Sequence, residues 1–75
     1  MTPNEKLIRA STLDFIISDR YNQAARQEYR EYLEDMMRWY WLRQLGIDID
    51  EPDEPSDAND IMGRYFYSVL EERSR

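Results

Sequence analysis

The chain has 75 residues, with 16 acidic and 10 basic side chains and neither cysteine nor histidine. A chain of this length forms at most one small domain, which buries only about 60% of its unfolded surface. Without Cys or His it lacks disulfides, zinc-finger spacing and the residues of Ser-His-Asp and Cys-His sites. We expect a cytoplasmic protein with neither a signal peptide nor a membrane span, because it has no disulfide framework and no apolar run near ~20 residues.

The first predicted helix covers residues 3–18. Thr2 to Glu5 form a capping box, with a hydroxyl before the helix, proline at its first position and glutamate three residues on. Apolar residues then recur, mostly at three- and four-residue steps, which indicates one buried face. They are Leu7, Ile8, Ala10, Leu13, Ile16 and Ile17.

The longest predicted helix covers residues 19–45. Ser18 and Asp19 offer its N-cap, and the stretch is rich in strong helix formers without Gly or Pro. Gly46 supplies the left-handed residue that commonly closes a helix. Arg30, Glu34 and Arg38 alternate in charge at four-residue spacing, which is typical of a solvated face.

An acidic loop, residues 46–57, separates this helix from a third helix over residues 58–72. Residues 47–60 contain seven acids, two prolines and no base, a composition typical of a loop. Ser56 or Asp57 can cap the third helix. Its apolar face consists of Ile61, Met62, Tyr65, Phe66, Val69 and Leu70. The predicted fold is all-α, one three-helix domain over residues 1–75, with the first and third helices packed on the long central helix.

The net charge of −6 lies in the second half of the chain. Residues 1–45 carry seven bases and seven acids, whereas residues 46–75 carry three bases and nine acids. Since the bases are interleaved with acids and form no stripe, direct binding to nucleic acid is not expected.

The acidic loop allows three interpretations. A calcium site fails, because an EF-hand counted from Asp48 needs glycine at the sixth place and a bidentate acid at the twelfth, where Asp53 and Asn59 stand. A solvated connector, whose last acids favour the positive end of the third helix, is the plainest interpretation. The third is a docking patch for a basic surface on another protein. That surface could be a nucleic-acid site, which the loop would occupy in place of phosphate. Its candidate partner-binding residues are Asp48, Asp50, Glu51, Asp53, Glu54 and Asp57.

Large apolar residues surround the long helix between residues 36 and 42. Leu33, Met36, Met37, Tyr40 and Trp41 share one broad side and are expected in the core, whereas Trp39 and Leu42 point away from its centre. Either both flanking helices pack here, or part of this surface forms a homodimer or target interface. The candidate interface residues are Met37, Trp39 and Trp41.

An enzyme is not expected, and no catalytic residue, cofactor or metal ion is predicted. Carboxylate pairs such as Glu71 and Glu72 are adjacent in sequence, so they diverge on a helix and cannot act together on one bond. A three-helix domain of this size also has little volume for a pocket.

In size, acidity, lack of Cys and His, and aromatic content, the chain resembles small accessory proteins of bacteriophages. These include anti-CRISPR proteins and regulators that bind host RNA polymerase; the resemblance is one of general character and transfers no site residue. It implies a small acidic inhibitor or regulator that occupies a basic surface of a larger bacterial protein in the host cytoplasm. Two alternatives remain open: a structural homo-oligomer subunit, and an antitoxin-like partner that folds partly on binding.

Overall fold

The computed structural model describes residues 1–74 as three helices joined by a tight turn and a long extended connection. The helices are α1 (Pro3–Arg20), α2 (Gln23–Gln44) and α3 (Ala58–Arg73). The predicted all-α fold of three helices, with an acidic loop before the last, is confirmed. No helix in the described part of the chain is long and apolar enough to cross a membrane.

The start of α1 follows the predicted capping box. The Oγ1 atom of Thr2 accepts a hydrogen bond from the Glu5 backbone N–H at 3.2 Å, and Pro3 occupies the first turn. The helix continues to Arg20, two residues beyond the predicted end at residue 18. Ser18 and Asp19 therefore lie inside α1 and do not cap the next helix.

The start of α2 differs from the prediction. This helix begins at Gln23 and not at residue 19, because Tyr21 and Asn22 take extended backbone conformations that reverse the chain. The Asn22 side chain is the N-cap, and its Oδ1 atom accepts from the Ala25 N–H at 3.0 Å. At the other end, α2 stops at Gln44 and Gly46 adopts a φ of +81°, as expected for a closing glycine.

The helix that packs against both others is α1, so the prediction that α2 holds this place is wrong. No Cα atom of α2 lies within 8 Å of a Cα atom of α3. The reason is that α1 buries apolar residues toward two neighbours: Ala10, Leu13, Ile16 and Ile17 are all buried. In α2, by contrast, only a narrow seam is buried, and its residues are Tyr29, Met36 and Trp39.

The three helices do not all run in alternating directions. α2 is antiparallel to α1, since Arg30 bonds Asp14 while the Arg26 guanidinium bonds the Ser18 carbonyl. α3 is parallel to α1. Asn59, near the start of α3, contacts Arg9 of α1, whereas Tyr65, further along α3, lies against Arg20 at the end of α1. The eight residues of α3 after Tyr65 extend about 12 Å further along the helix.

The core consists of two clusters. The three-helix cluster contains buried residues of all three helices: Leu13, Ile16, Ile17, Tyr29, Ala58 and Ile61. The strap-side cluster contains Ala10, Met36 and Trp39, with Ile49 of the loop packed against it. We call residues 47–57 the strap, because they run back over this second cluster to reach α3.

Candidate partner-binding surface

The strap is fixed to α1 by charged side chains. The Lys6 Nζ atom lies 2.5 Å from a Glu51 carboxylate oxygen, and the Arg9 Nε atom lies 2.7 Å from one of Glu54. Arg9 also donates from Nη2 to the Asn59 side-chain oxygen at 2.6 Å, at the start of α3. The loop is therefore anchored along its length and is more than a solvated connector.

A buried tyrosine fixes the end of the strap. The Tyr29 hydroxyl donates to an Asp57 carboxylate oxygen at 2.5 Å, and the ring is part of the three-helix cluster. Burial of the phenol, with the Asp57 hydrogen bond and charge next, raises the pKa of Tyr29 far above its ordinary value. Burial also raises the pKa of Tyr32, with added effect from the charges of Glu54 and Glu51.

The remaining strap acids are open to solvent. Asp48 lies 3.1 Å from the Arg43 guanidinium, but 93% of its side chain is exposed. Asp50 and Asp53 are exposed, and neither makes a hydrogen bond or ion pair with the described residues. Of the six predicted partner-binding acids, Glu51, Glu54 and Asp57 thus hold the strap in place, whereas Asp48, Asp50 and Asp53 present charge outward.

The two tryptophans occupy the opposite positions to those predicted. Trp39 is only 5% exposed and belongs to the strap-side cluster, with the cations of Lys6 and Arg43 5.7 and 5.8 Å from its ring. The residues of α2 that face α1 follow steps of three and four: Tyr29, Tyr32, Met36 and Trp39. Trp41 follows Trp39 by two residues. It points about 140° around the helix from the buried Met36 and therefore lies outside the core.

Exposed apolar residues lie on the outer face of α2 and in the turn that follows it. Met37, Trp41 and Leu45 recur every four residues and are 45%, 64% and 74% exposed, and Ile47 follows at 46%. We call these four residues the Trp41 stripe. Met37 and Trp41, which were expected in the core, are thus exposed, whereas the ring of Trp39, the third interface candidate, is covered.

Two further groups of exposed apolar residues lie on α1 and α3. Ile8 and Phe15 are two helical turns apart on the face of α1 that points away from the core. Phe66, Tyr67 and Leu70 are exposed on α3, although Phe66 and Leu70 belong to the apolar face predicted for that helix. The sequence pattern identified these residues as apolar but did not show that α3 extends past its neighbour.

Within residues 1–74, no group of three or more acidic side chains is placed to hold a metal ion. A shallow groove runs between the strap and the helices and is lined by Met1, Lys6, Arg9, Tyr32, Met36, Glu51, Pro52 and Glu54. Comparisons of the chain with protein-family models, with curated proteins and with solved structures gave no match.

Proposed function

We propose that this protein is a protein-binding inhibitor or regulator that attaches to a larger protein through the Trp41 stripe. The observation that carries this proposal is the stripe itself, four large apolar side chains that the fold leaves uncovered at one end of α2. Contiguous exposed apolar surface rimmed by polar residues is typical of interfaces, and Trp is among the residue types enriched at binding hot spots.

The charges next to the stripe favour a partner with a basic surface. Asp48 directly follows Ile47, and Asp50 and Asp53 continue the exposed acidic edge along the strap. Charges at the rim of an interface mainly accelerate association and exclude wrong partners, while a buried aromatic anchor supplies the affinity. The stripe and the acidic edge together would therefore select an apolar groove bordered by Lys or Arg.

Such a surface acts by steric occupation, without a cofactor, a metal ion or direct contact with nucleic acid. This mode of action suits the small bacteriophage proteins that the chain resembles in composition, such as anti-CRISPR proteins and regulators of host RNA polymerase. We extend the proposal to an inhibitor that works in the bacterial host cytoplasm, where it covers a basic site on a larger protein and blocks its ligand.

The test compares two exposed aromatic residues. Trp41→Ala removes the centre of the stripe, and Tyr67→Ala removes a comparably exposed ring on α3 as a matched control. A partner captured from bacterial lysate would be purified and its affinity for each variant measured by titration calorimetry. We expect Trp41→Ala to weaken binding about tenfold or more and Tyr67→Ala to have little effect. Unchanged affinity of the Trp41→Ala variant would contradict the proposal.

The acidic edge is tested separately. The triple variant Asp48→Asn, Asp50→Asn, Asp53→Asn is expected to slow association with that partner and to reduce its dependence on salt. An affinity of the wild-type protein that does not change with salt would remove the electrostatic part of the proposal but not the part that concerns Trp41.

A structural role in a homo-oligomer is the second candidate. The observation in its favour is that α1 and α3 also carry outward apolar residues, namely Ile8, Phe15, Phe66 and Leu70. Several such faces are required when a subunit contacts more than one neighbour. Light scattering coupled to size-exclusion chromatography distinguishes the two candidates, since a large stable homo-oligomer favours assembly.

A further inference from the structure

We propose that the strap and α3 form an exchangeable arm, so that two copies of the chain can bind each other's arms in a reciprocal dimer. The arm comprises residues 47–73, and the groove that receives it is the face of the α1–α2 hairpin that now holds the arm of the same chain. The exchange requires no target protein, and it gives the Trp41 stripe a second role.

Beyond Ile47, whose N–H donates to the Leu42 carbonyl, side chains alone attach the strap to the hairpin. Within the described part of the chain, no backbone N–H of residues 48–57 donates to another backbone group. The attachment consists of Lys6 with Glu51, Arg9 with Glu54, and Tyr29 with Asp57, together with the packing of Ile49. None of these contacts depends on a covalent link between arm and groove, so an arm from a second chain can make all of them.

The charges of the groove identify this chain's own arm as the occupant. Lys6 and Arg9 are three residues apart on α1, and the carboxylates they bind, Glu51 and Glu54, are also three residues apart on the strap. The groove thus matches the strap in the sign of its charges and in their order along the chain. Asn59 extends the same register into α3 by accepting from Arg9.

A single residue directs the arm back to its own groove. Gly46 has a φ of +81°, and the turn around it closes through the Ile47 N–H, which donates to the Leu42 carbonyl at 2.9 Å. If Gly46 adopts a helical or extended conformation, the arm leaves its own groove and points outward. A Cβ atom at this position would meet nothing within 4 Å, so a substitution there acts through backbone preference alone.

Uncovered apolar residues surround this hinge. Trp41, Leu45 and Ile47 are exposed and lie within five residues of Gly46. In a reciprocal exchange the two hinges pass each other close to the two-fold axis, where the same residues of both chains meet. The exchanged dimer therefore keeps the side-chain contacts of the arm with Lys6, Arg9 and Tyr29, loses the Ile47–Leu42 hydrogen bond of the turn, and adds burial of surface that is exposed in the monomer.

The decisive experiment uses charge reversal in two separate chains. One variant carries Lys6→Glu and Arg9→Glu in the groove, and the other carries Glu51→Lys and Glu54→Lys in the arm. Each variant alone has like charges between groove and arm, whereas an exchanged pair restores opposite charges at both grooves. We expect the mixture to form a one-to-one heterodimer, measured by native mass spectrometry. A mixture that contains only the species of the separate variants overturns the proposal.

A chain with all four substitutions is the control for folding, since it restores opposite charges within one molecule. Its circular dichroism spectrum and melting should match those of the wild type. These experiments use the purified protein alone, so their failure leaves the proposed docking function untouched.

A second measurement uses the hinge and keeps the groove intact. Alanine is disfavoured at positive φ by about tenfold or more, so Gly46→Ala should shift each hinge toward the open form and increase dimerisation strongly. Gly46→Asn should have a smaller effect, because Asn tolerates the left-handed conformation. Size-exclusion chromatography with light scattering over a concentration series measures both. A Gly46→Ala variant that stays monomeric at every concentration contradicts the exchange.

Discussion

The two core clusters are closed by different kinds of structure. In the three-helix cluster, side chains of α1, α2 and α3 cover one another, and Asp57 accepts a hydrogen bond from Tyr29 at the edge. In the strap-side cluster there is no third helix, and an extended acidic segment covers Trp39 by placing Ile49 inward and its carboxylates on Lys6 and Arg9. An acidic segment can therefore complete a small core when one apolar residue faces inward and nearby bases fix its path.

The largest effect is expected in the three-helix cluster. Leu13→Ala removes a side chain with no exposed surface and leaves a cavity among three helices, which costs about 2–5 kcal/mol. Ile8→Ala on the exposed face of the same helix is the control and should change stability by less than about 0.5 kcal/mol. Urea denaturation followed by circular dichroism measures both. Similar losses for the two variants would show that this cluster is not tightly packed.

An intermediate effect is expected where the two regions meet. Tyr29→Phe keeps the buried ring but removes the hydroxyl that donates to Asp57, and a loss of about 1–2 kcal/mol is expected in urea denaturation. Because the folded state raises the pKa of Tyr29 above the ordinary value of 10.0, it favours the neutral phenol. The stabilisation that the neutral Tyr29 phenol provides is complete below the pKa of this phenol in the unfolded chain. It is lost as the pH rises through the pKa of the phenol in the folded protein.

The melting temperature of the wild type should therefore decrease at alkaline pH, above the ordinary tyrosine pKa. The decrease should be smaller in the Tyr29→Phe variant, which has no phenol to ionise at this position. Equal pH profiles for the two proteins would mean that Tyr29 does not contribute to alkaline instability.

The smallest effect is expected for the ion pairs of the strap. Lys6→Met removes the partner of Glu51, and since the two side chains are 34% and 40% exposed the loss should not exceed about 1 kcal/mol. It should shrink further at high salt, which screens the pair. Arg64→Met is the matched control, because its contact with Asp60 is 3.9 Å long and fully at the surface. A salt-independent loss for Lys6→Met would point to packing of its side chain on Trp39.

Local sequence signals were sufficient for the elements of the fold. The capping box at Thr2, the closing Gly46 and the prolines of the strap predict one helix start, one helix end and the acidic loop, because each acts on its nearest neighbours. The start of α2 was missed, since both Asp19 and Asn22 are good N-caps and only the tertiary turn selects the second.

The surface was less predictable, because it depends on which side of each helix is covered. The steps of three and four residues from Tyr29 to Trp39 indicate the buried seam of α2. Apolar residues also surround this seam between residues 36 and 42, so the predicted core face was centred wrongly and included Trp41 instead of Trp39. The pairing of strap acids with α1 was not predictable either. Lys6 and Glu51 are 45 residues apart, so only the path of the strap brings them together.

The different sequence separations of the helix contacts set an order of folding. α1 and α2 are joined by Tyr21 and Asn22 alone and can pair early, whereas the arm must close contacts such as Arg9 with Asn59, 50 residues apart. Pulse-labelled hydrogen exchange should show protection in α1 and α2 before α3. During synthesis the hairpin also leaves the ribosome first. The groove therefore leaves the ribosome before the arm of the same chain does.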